Sequence, residues 1–177
     1  MKDEHDKDKK RLNIELREME IDDLAQVFHL GERLFTSEET PNLYRTWDEF
    51  EVTGMFQEEP EFCLVADADE RIVGFVMGTT ITKTHSAWKY GHLVWLGVDP
   101  QFQRFGIASR LFNQFRELML EHGVRILLID TEADNEGALK FFRRMGFGNV
   151  EEHVYMSLNL DMQLKQIKEK KHKNNHD

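Results

Sequence analysis

Residues 92–112 read HLVWLGVDPQFQRFGIASRLF, and this stretch decides the fold. The run from Leu93 to Val98 is apolar and rich in β-branched and aromatic residues. It breaks at Asp99 and Pro100, and an amphipathic pattern from Gly106 to His122 follows, closed by Gly123. The stretch therefore predicts a strand, a turn and a long helix. The N–H groups at a helix start have no intrahelical partners and lie at the positive end of the dipole, which suits an anion, phosphate above all. Gly106 and Ala108 put little side chain in the way of such a ligand, and Arg104 adds a cation beside it. Taken alone, Gly-x-Ala at such a turn also fits an ordinary tight strand-to-helix connection.

Outward from this stretch the periods alternate. Leu12, Ile14 and Leu16 predict a first strand, and Ile21, Leu24, Ala25, Phe28 and Leu34 recur at helical spacing behind an Asp22 cap. Thr46 and Glu49 resemble a capping box for a second helix, with Phe50 and Met55 or Phe56 on one face. Phe62–Ala66 and Ile72–Thr82 flank the turn-prone DADE and read as a hairpin. Downstream come a strand at Ile126–Thr131, a helix from Glu136 to Met145 ended by Gly146, and a last strand at Val154–Leu160. The order βα α ββ β α β α β predicts an α/β sandwich whose sheet starts antiparallel and includes two strand–helix crossovers.

At 177 residues the chain has room for one domain with a sizeable core, expected over 11–160. Residues 1–10 read as a disordered charged tail, and 161–177 as a lysine-rich tail, disordered or partly helical through Leu160, Leu164 and Ile167. The net charge of −10 concentrates in the body, where 14 basic residues face 26 acidic ones. Such a body repels phosphate backbones, which argues against nucleic acid as main partner, and attracts cations, protonated amines included. Cys63 is the one cysteine, so no disulfide framework forms, and CxxC and HExxH are absent, so no metal is expected. With no apolar stretch near the roughly 18 residues of a membrane span and no export-like start, a cytoplasmic protein without membrane contact is expected. His172 and His176 are four apart but sit on the lysine-rich tail and are set aside as metal ligands.

Val98, Pro100 and the run Gln103-Arg104-Phe105-Gly106-Ile107-Ala108 together resemble the acetyl-CoA signature of the GNAT superfamily of N-acetyltransferases, Gln-x-x-Gly-x-Gly/Ala. Downstream, Asn135, Ala138, Phe141, Phe142, Gly146 and Phe147 match that superfamily's Asn-x-x-Ala-x-x-aromatic-aromatic stretch ending in Gly-Phe. The resemblance covers the whole body. It implies an α/β (α+β) three-layer sandwich: a mixed, mostly antiparallel sheet of six to seven strands with helices on both faces. Its strands at 93–98 and 126–131 would run parallel and splay to admit the pantetheine arm of acetyl-CoA, the cosubstrate. The cofactor-binding residues it implies are Leu96, Gly97, Val98, Gln103, Arg104, Phe105, Gly106, Ile107, Ala108, Ser109, Asn135 and Phe142. Within that set the backbone of Leu96 and Val98 pairs with the arm, the amides of Arg104 to Ala108 hold the pyrophosphate, and Asn135 bonds the arm from the other side. Gly97, mid-strand, marks a bulge or a close backbone contact.

The implied reaction is direct acetyl transfer from the thioester to a primary amine. It needs a neutral amine, a polarised carbonyl and departure of the thiolate. The Leu96 amide is the implied donor to the carbonyl. Many relatives carry a glutamate six residues before the Val98 position. Here that position is His92, an imidazole suited to accept a proton near neutral pH. Glu132 competes as base, within an acidic run of Asp130, Glu132, Asp134 and Glu136 that could bind a cationic acceptor or relay a proton. For Asp134 and Glu136 a simpler role is favouring the next helix N-terminus.

Phe142 stands where the family often places a tyrosine to protonate the leaving sulfur, so that role passes to Tyr155 or a water. The acceptor is expected to be a cationic small molecule, an amino-acid side chain or a peptide N-terminus, chosen by the loops at 36–46 and 83–90. Trp88, Tyr90 and Trp95 are candidate pocket residues, the two in the loop ahead of Trp95, which as a strand aromatic more simply packs. Trp95, Phe102, Phe105, Phe112 and Phe115 are expected to pack, and Cys63 to be a buried hydrophobe. A homodimer is left open. Two rivals remain: an acyl-CoA-binding sensor without transfer, and an interaction protein with a vestigial cleft.

Overall fold

The computed structural model describes residues 13–38, 40, 46–82, 88–152, 154, 156, 158, 160 and 161. The chain divides into two compact units, Met1–Met145 and Gly146–Asp177. The first holds β1 (Ile14–Glu18), α1 (Leu24–Leu34), α2 (Glu49–Glu58), β2 (Cys63–Ala68), β3 (Arg71–Thr82), β4 (Lys89–Val98), α3 (Ile107–Glu121), β5 (Val124–Ile129) and α4 (Glu136–Arg144). In the second, Leu160 and Asp161 are helical.

The strands form one sheet in chain order, antiparallel except for the parallel pair β4–β5. That is the mixed sheet expected, with five strands among the described residues where six to seven were predicted. Of the final strand expected at 154–160, residues 154, 156 and 158 are not in a strand, and 155, 157 and 159 lie outside the described residues. Also outside them are Leu12, residues 1–10, His172 and His176, and parts of both candidate acceptor loops.

Element ends moved where local hydrogen bonding competes. α2 is capped by Asp48, whose side chain accepts from the Glu51 amide at 2.7 Å, and Thr46 is not its cap. The Asp23 carboxylate, not that of Asp22, turns the chain into α1, accepting from the Glu20 amide at 2.8 Å and from the Arg17 guanidinium at 2.6 and 2.9 Å. Partial burial pushes the Asp23 carboxyl up, but Arg17 and the Glu20 amide outweigh it and hold the group below the usual range. The DADE turn has both Asp69 and Glu70 at positive φ, the two-residue hairpin geometry that matches strand twist. β5 starts two residues earlier than predicted, at Val124.

Cys63, Leu64, Val65 and Ala66 of β2 are all buried, because helices cover both faces of the sheet. On one face Phe35, Trp47, Phe75 and Trp95 form an aromatic cluster beneath α1 and α2, with Trp95 5.1 Å from Phe35 and 4.9 Å from Trp47 between ring centroids. On the other, α3 buries Leu111, Phe112, Phe115 and Met119. Of the four phenylalanines expected as helix-to-sheet core, Phe112 and Phe115 are buried, but Phe105, in the turn before the helix, is 58% exposed. Helix α3 lies close to the sheet at Gly78, where a Cβ would come within 2.6 Å of the His92 carbonyl oxygen and 2.7 Å of Phe115 Cε2. Replacing Gly78 with alanine is expected to overpack this contact and cost about 1–3 kcal/mol, read as a lower midpoint in denaturant unfolding.

Candidate active site

Strand β4 pairs with β5 from Lys89↔Val124 to Leu93↔Ile129, and from Val94 onward β5 offers it no partner. The cause lies on the other side of β4, where Met77 pairs with Trp95 and Gly78 with Leu93. Val94 is therefore an extra residue, a bulge that bends β4 where its neighbour stops. Of the two roles open to Gly97, the structure selects close contact: a Cβ there would lie 2.7 Å from Leu34 Cδ1 and 3.0 Å from Phe75 Cε1, and the bulge is three residues upstream. The Asp99 amide donates to the Val73 carbonyl at 2.8 Å. Because strand polar groups alternate sides, the amides of Leu96 and Val98 point away from β3 into the gap.

At the mouth of the gap a short turn, Pro100–Phe102, is fixed by the buried carboxylate of Asp99. That carboxylate accepts from the Gln101 amide at 3.0 Å and from Arg71 Nη2 at 2.7 Å. The chain then takes positive φ at Arg104 (78°) and Gly106 (71°) but not at Phe105. Such alternation gathers successive N–H groups into a concavity suited to anions. Gly106 caps α3, and the first helical bond runs from the Arg110 amide to the Gly106 carbonyl at 3.0 Å, so the N–H groups of Ile107, Ala108 and Ser109 carry no helical bond. Gln103, Arg104 and Gly106 are exposed, while buried Ile107 anchors the helix. Asn135 caps α4, its Oδ1 accepting from the Ala138 amide at 3.0 Å, which leaves its NH₂ group as donor. Phe142 is buried on α4.

His92 lies one pair before the strands part, on the face opposite Gly91, which backs onto Met119 of α3. Its Nε2 is 2.8 Å from Asp130 Oδ2, and the ring is a quarter exposed. Of the acidic run it is Asp130 that meets His92. Glu132 is half-buried, and its backbone carbonyl accepts from the Asn135 amide at 3.0 Å. Trp95 is core, as expected, whereas Trp88 is exposed and Tyr90 half-buried. Tyr155 lies outside the described residues. Cys63 is buried and its thiol is pushed up to about 12, mainly by burial, so it is no nucleophile.

On the His92 face, a cavity of about 230 Å³ between α2 and the sheet is lined by Phe50, Glu51, Met55, Glu58, Glu59, Thr79 and Val94. Sequence reasoning missed Glu59, whose carboxylate accepts from the hydroxyls of Thr79 and Thr80 and from the Thr80 amide at 2.7 Å. Partial burial pushes this carboxyl up, but those donors and the charge of Lys89 outweigh it, and the group sits below the usual range. No local pattern around Glu59 announces a pairing with a strand twenty residues on.

Residues 24–147 match the model of a family described as Acetyltransferase (GNAT) family. The chain belongs to the GNAT acetyltransferase family. Over 95 residues this GNAT chain is 30% identical to N-alpha-acetyltransferase 30 of Schizosaccharomyces pombe, a match spanning 50% of this chain and 58% of that protein. Among solved structures it is similar to Ard1 from Thermoplasma volcanium, with TM-score 0.66, 22% identity and coverage of 78% of this chain and 84% of that one. It is also similar to the NatC complex bound to Gag peptide and CoA, with TM-score 0.69, 16% identity and coverage of 79% and 87%. These two likenesses show the fold. No helix of the described residues is long and apolar enough to cross a membrane.

The Glu59 carboxylate yields a pH test. Its folded-state pKa is depressed, so its stabilisation is full above the unfolded value of about 4.3 and is lost as pH falls through the folded value. Glu59→Gln is expected to be less stable than wild type at pH 7, with the difference shrinking below about pH 4, as urea titrations across pH would report.

Proposed function

We propose that this GNAT protein is an acetyl-CoA-dependent N-acetyltransferase that moves an acetyl group to a primary amine by direct attack on the thioester. The observation that carries this reading is the edge of β4 from Val94 to Val98, unpaired among the described residues, with the Leu96 and Val98 amides facing the gap. A pantetheine arm carries amide groups that can pair with such an edge as a strand would. The alternating backbone at Arg104–Gly106 and the amides of Ile107 to Ser109 suit the pyrophosphate, with Gln103 beside them. Asn135 would donate to the arm from the facing side, and Phe142 would pack near it. Acetyl-CoA supplies the activated acyl group. The Leu96 amide is suited to polarise its carbonyl, and His92 to take the proton of the attacking amine, with Glu132 as the alternative base.

For the acceptor we favour a cationic amine, the α-amine of a peptide first. The acidic cavity lined by Glu51, Glu58 and Glu59 supports a positive charge, and the similarity to an N-alpha-acetyltransferase supports a peptide N-terminus. A cytoplasmic setting fits the single buried thiol. One observation favours a second reading, an acyl-CoA sensor: phenylalanine, not tyrosine, occupies position 142. A thiol with a pKa near 8.5 leaves tolerably as thiolate, so transfer stands as the first reading.

Release of free CoA thiol from acetyl-CoA should require added amine, and peptides with a free N-terminus should outpace acetylated ones. Binding without amine-dependent release would instead establish the sensor. Gly106→Val is expected to raise the acetyl-CoA Kd at least about 10-fold by crowding the cradle. A Cβ at 106 meets nothing within 4 Å, so the fold should bear only the roughly 1–2 kcal/mol strain of a side chain at positive φ. Unchanged affinity, measured by calorimetry, overturns the cradle.

A further inference from the structure

The contact between His92 and Asp130 joins two strands that run parallel and are about to separate. His92 pairs with Leu128, so Asp130, two residues on, lies on the same face one position beyond the end of β5. The ring's Nε2 and the carboxylate's Oδ2 are 2.8 Å apart, and no other hydrogen bond to His92 is described. Its cross-strand neighbour Thr79 does not compete, because that hydroxyl donates to Glu59. Asp130 is 82% exposed, and an exposed pair of this kind adds little to folding stability. The effect of the pair falls on the ring.

An ionised carboxylate can only accept. A neutral imidazole bonded to it through Nε2 must therefore carry its proton on Nε2 and keep the lone pair on Nδ1. We infer that Asp130 is a positioning residue that holds His92 as the Nε2–H tautomer, so that Nδ1 is the atom that accepts the proton from the acceptor amine. The inference rests on the proposed role of His92 as base. In the step, the amine nitrogen bonds to the acetyl carbon and gives one proton to Nδ1, while the carbon–sulfur bond breaks and sulfur leaves with its electron pair. The imidazolium then donates through both nitrogens, Nε2 to Asp130, until the Nδ1 proton passes through solvent to the thiolate. The products are the N-acetyl amine and CoA thiol. A partner at Nε2 thus fixes which nitrogen works.

Two readouts on the full chain test this. Long-range proton–nitrogen correlation spectra, recorded where the ring is neutral, should show His92 with a protonated Nε2 and an unprotonated Nδ1. Asp130→Asn puts a group there that can donate as well as accept, so the tautomers should mix. With acetyl-CoA and an acceptor peptide, kcat should then fall about 10- to 100-fold, short of the 10²–10⁴ that a general base supplies, with the KM for acetyl-CoA unchanged. Asp130→Glu should recover most of the loss. A wild-type ring protonated on Nδ1 overturns the inference, as does an Asp130→Asn variant that leaves either the tautomer or kcat unchanged. His92→Ala separates the two levels: full activity removes His92 as base, whereas inactive His92→Ala beside unaltered Asp130→Asn removes only the role of Asp130.

Discussion

A strand in the middle of a sheet must find partners for the polar groups on both of its edges, and among the described residues β4 finds them on one edge only beyond Leu93. Leaving backbone donors and acceptors without partners is costly away from water, so an edge of this kind inside a two-sided sandwich is stable only if water or a ligand meets it. The rest of the architecture keeps that edge open and shaped. The aromatic cluster of Phe35, Trp47, Phe75 and Trp95 holds β4 against β3 and the α1–α2 layer, while Phe115 and Met119 hold it from below. The strand therefore cannot drift toward β5 to satisfy itself.

The charges around the gap are divided by function. At its mouth the groups are positive: helix-start amides, Arg104, and the guanidinium of Arg71 that braces the buried Asp99. On the His92 side they are negative: Asp130 and the carboxylates lining the cavity beneath α2. A body with a large acidic excess thus still keeps a local cluster of donors at the mouth of the gap. Glu59 adds rigidity there, because its three donors tie the segment after α2 to β3.

What was legible in the sequence was what short range determines. The break at Asp99-Pro100, the left-handed Gly106 and the helix that follows are written in consecutive residues, and the motif they form carried the family assignment. The same holds for the hairpin, where turn chemistry is local. Errors arose where neighbours compete or distant residues decide. Asp48 displaced the expected cap of α2 because several polar residues near a helix start can bond its free amides, and ahead of α1 the Asp23 carboxylate bonds back to the Glu20 amide. The run VWLGV has no internal mark that Val94 is the extra residue, since every member suits a strand and only pairing with Met77 and Gly78 reveals the slip. His92 was picked out by its spacing from Val98. Its partner Asp130, 38 positions along, becomes visible only once the parallel register is known. An aromatic beside a helix start, such as Phe105, reads alike in sequence whether it ends buried or exposed.

The extra residue in β4 also acts as a change of phase. Before it, His92 shares the α1–α2 face with Tyr90; after it, Trp95 and Gly97 take that face. An unbroken strand would have set Trp95 on the opposite side from His92, so that only one of the two could lie on the α1–α2 face. One inserted residue lets the two halves of the strand answer to different demands, so the half that packs beneath α1 and α2 and the half that carries His92 are free to vary out of step.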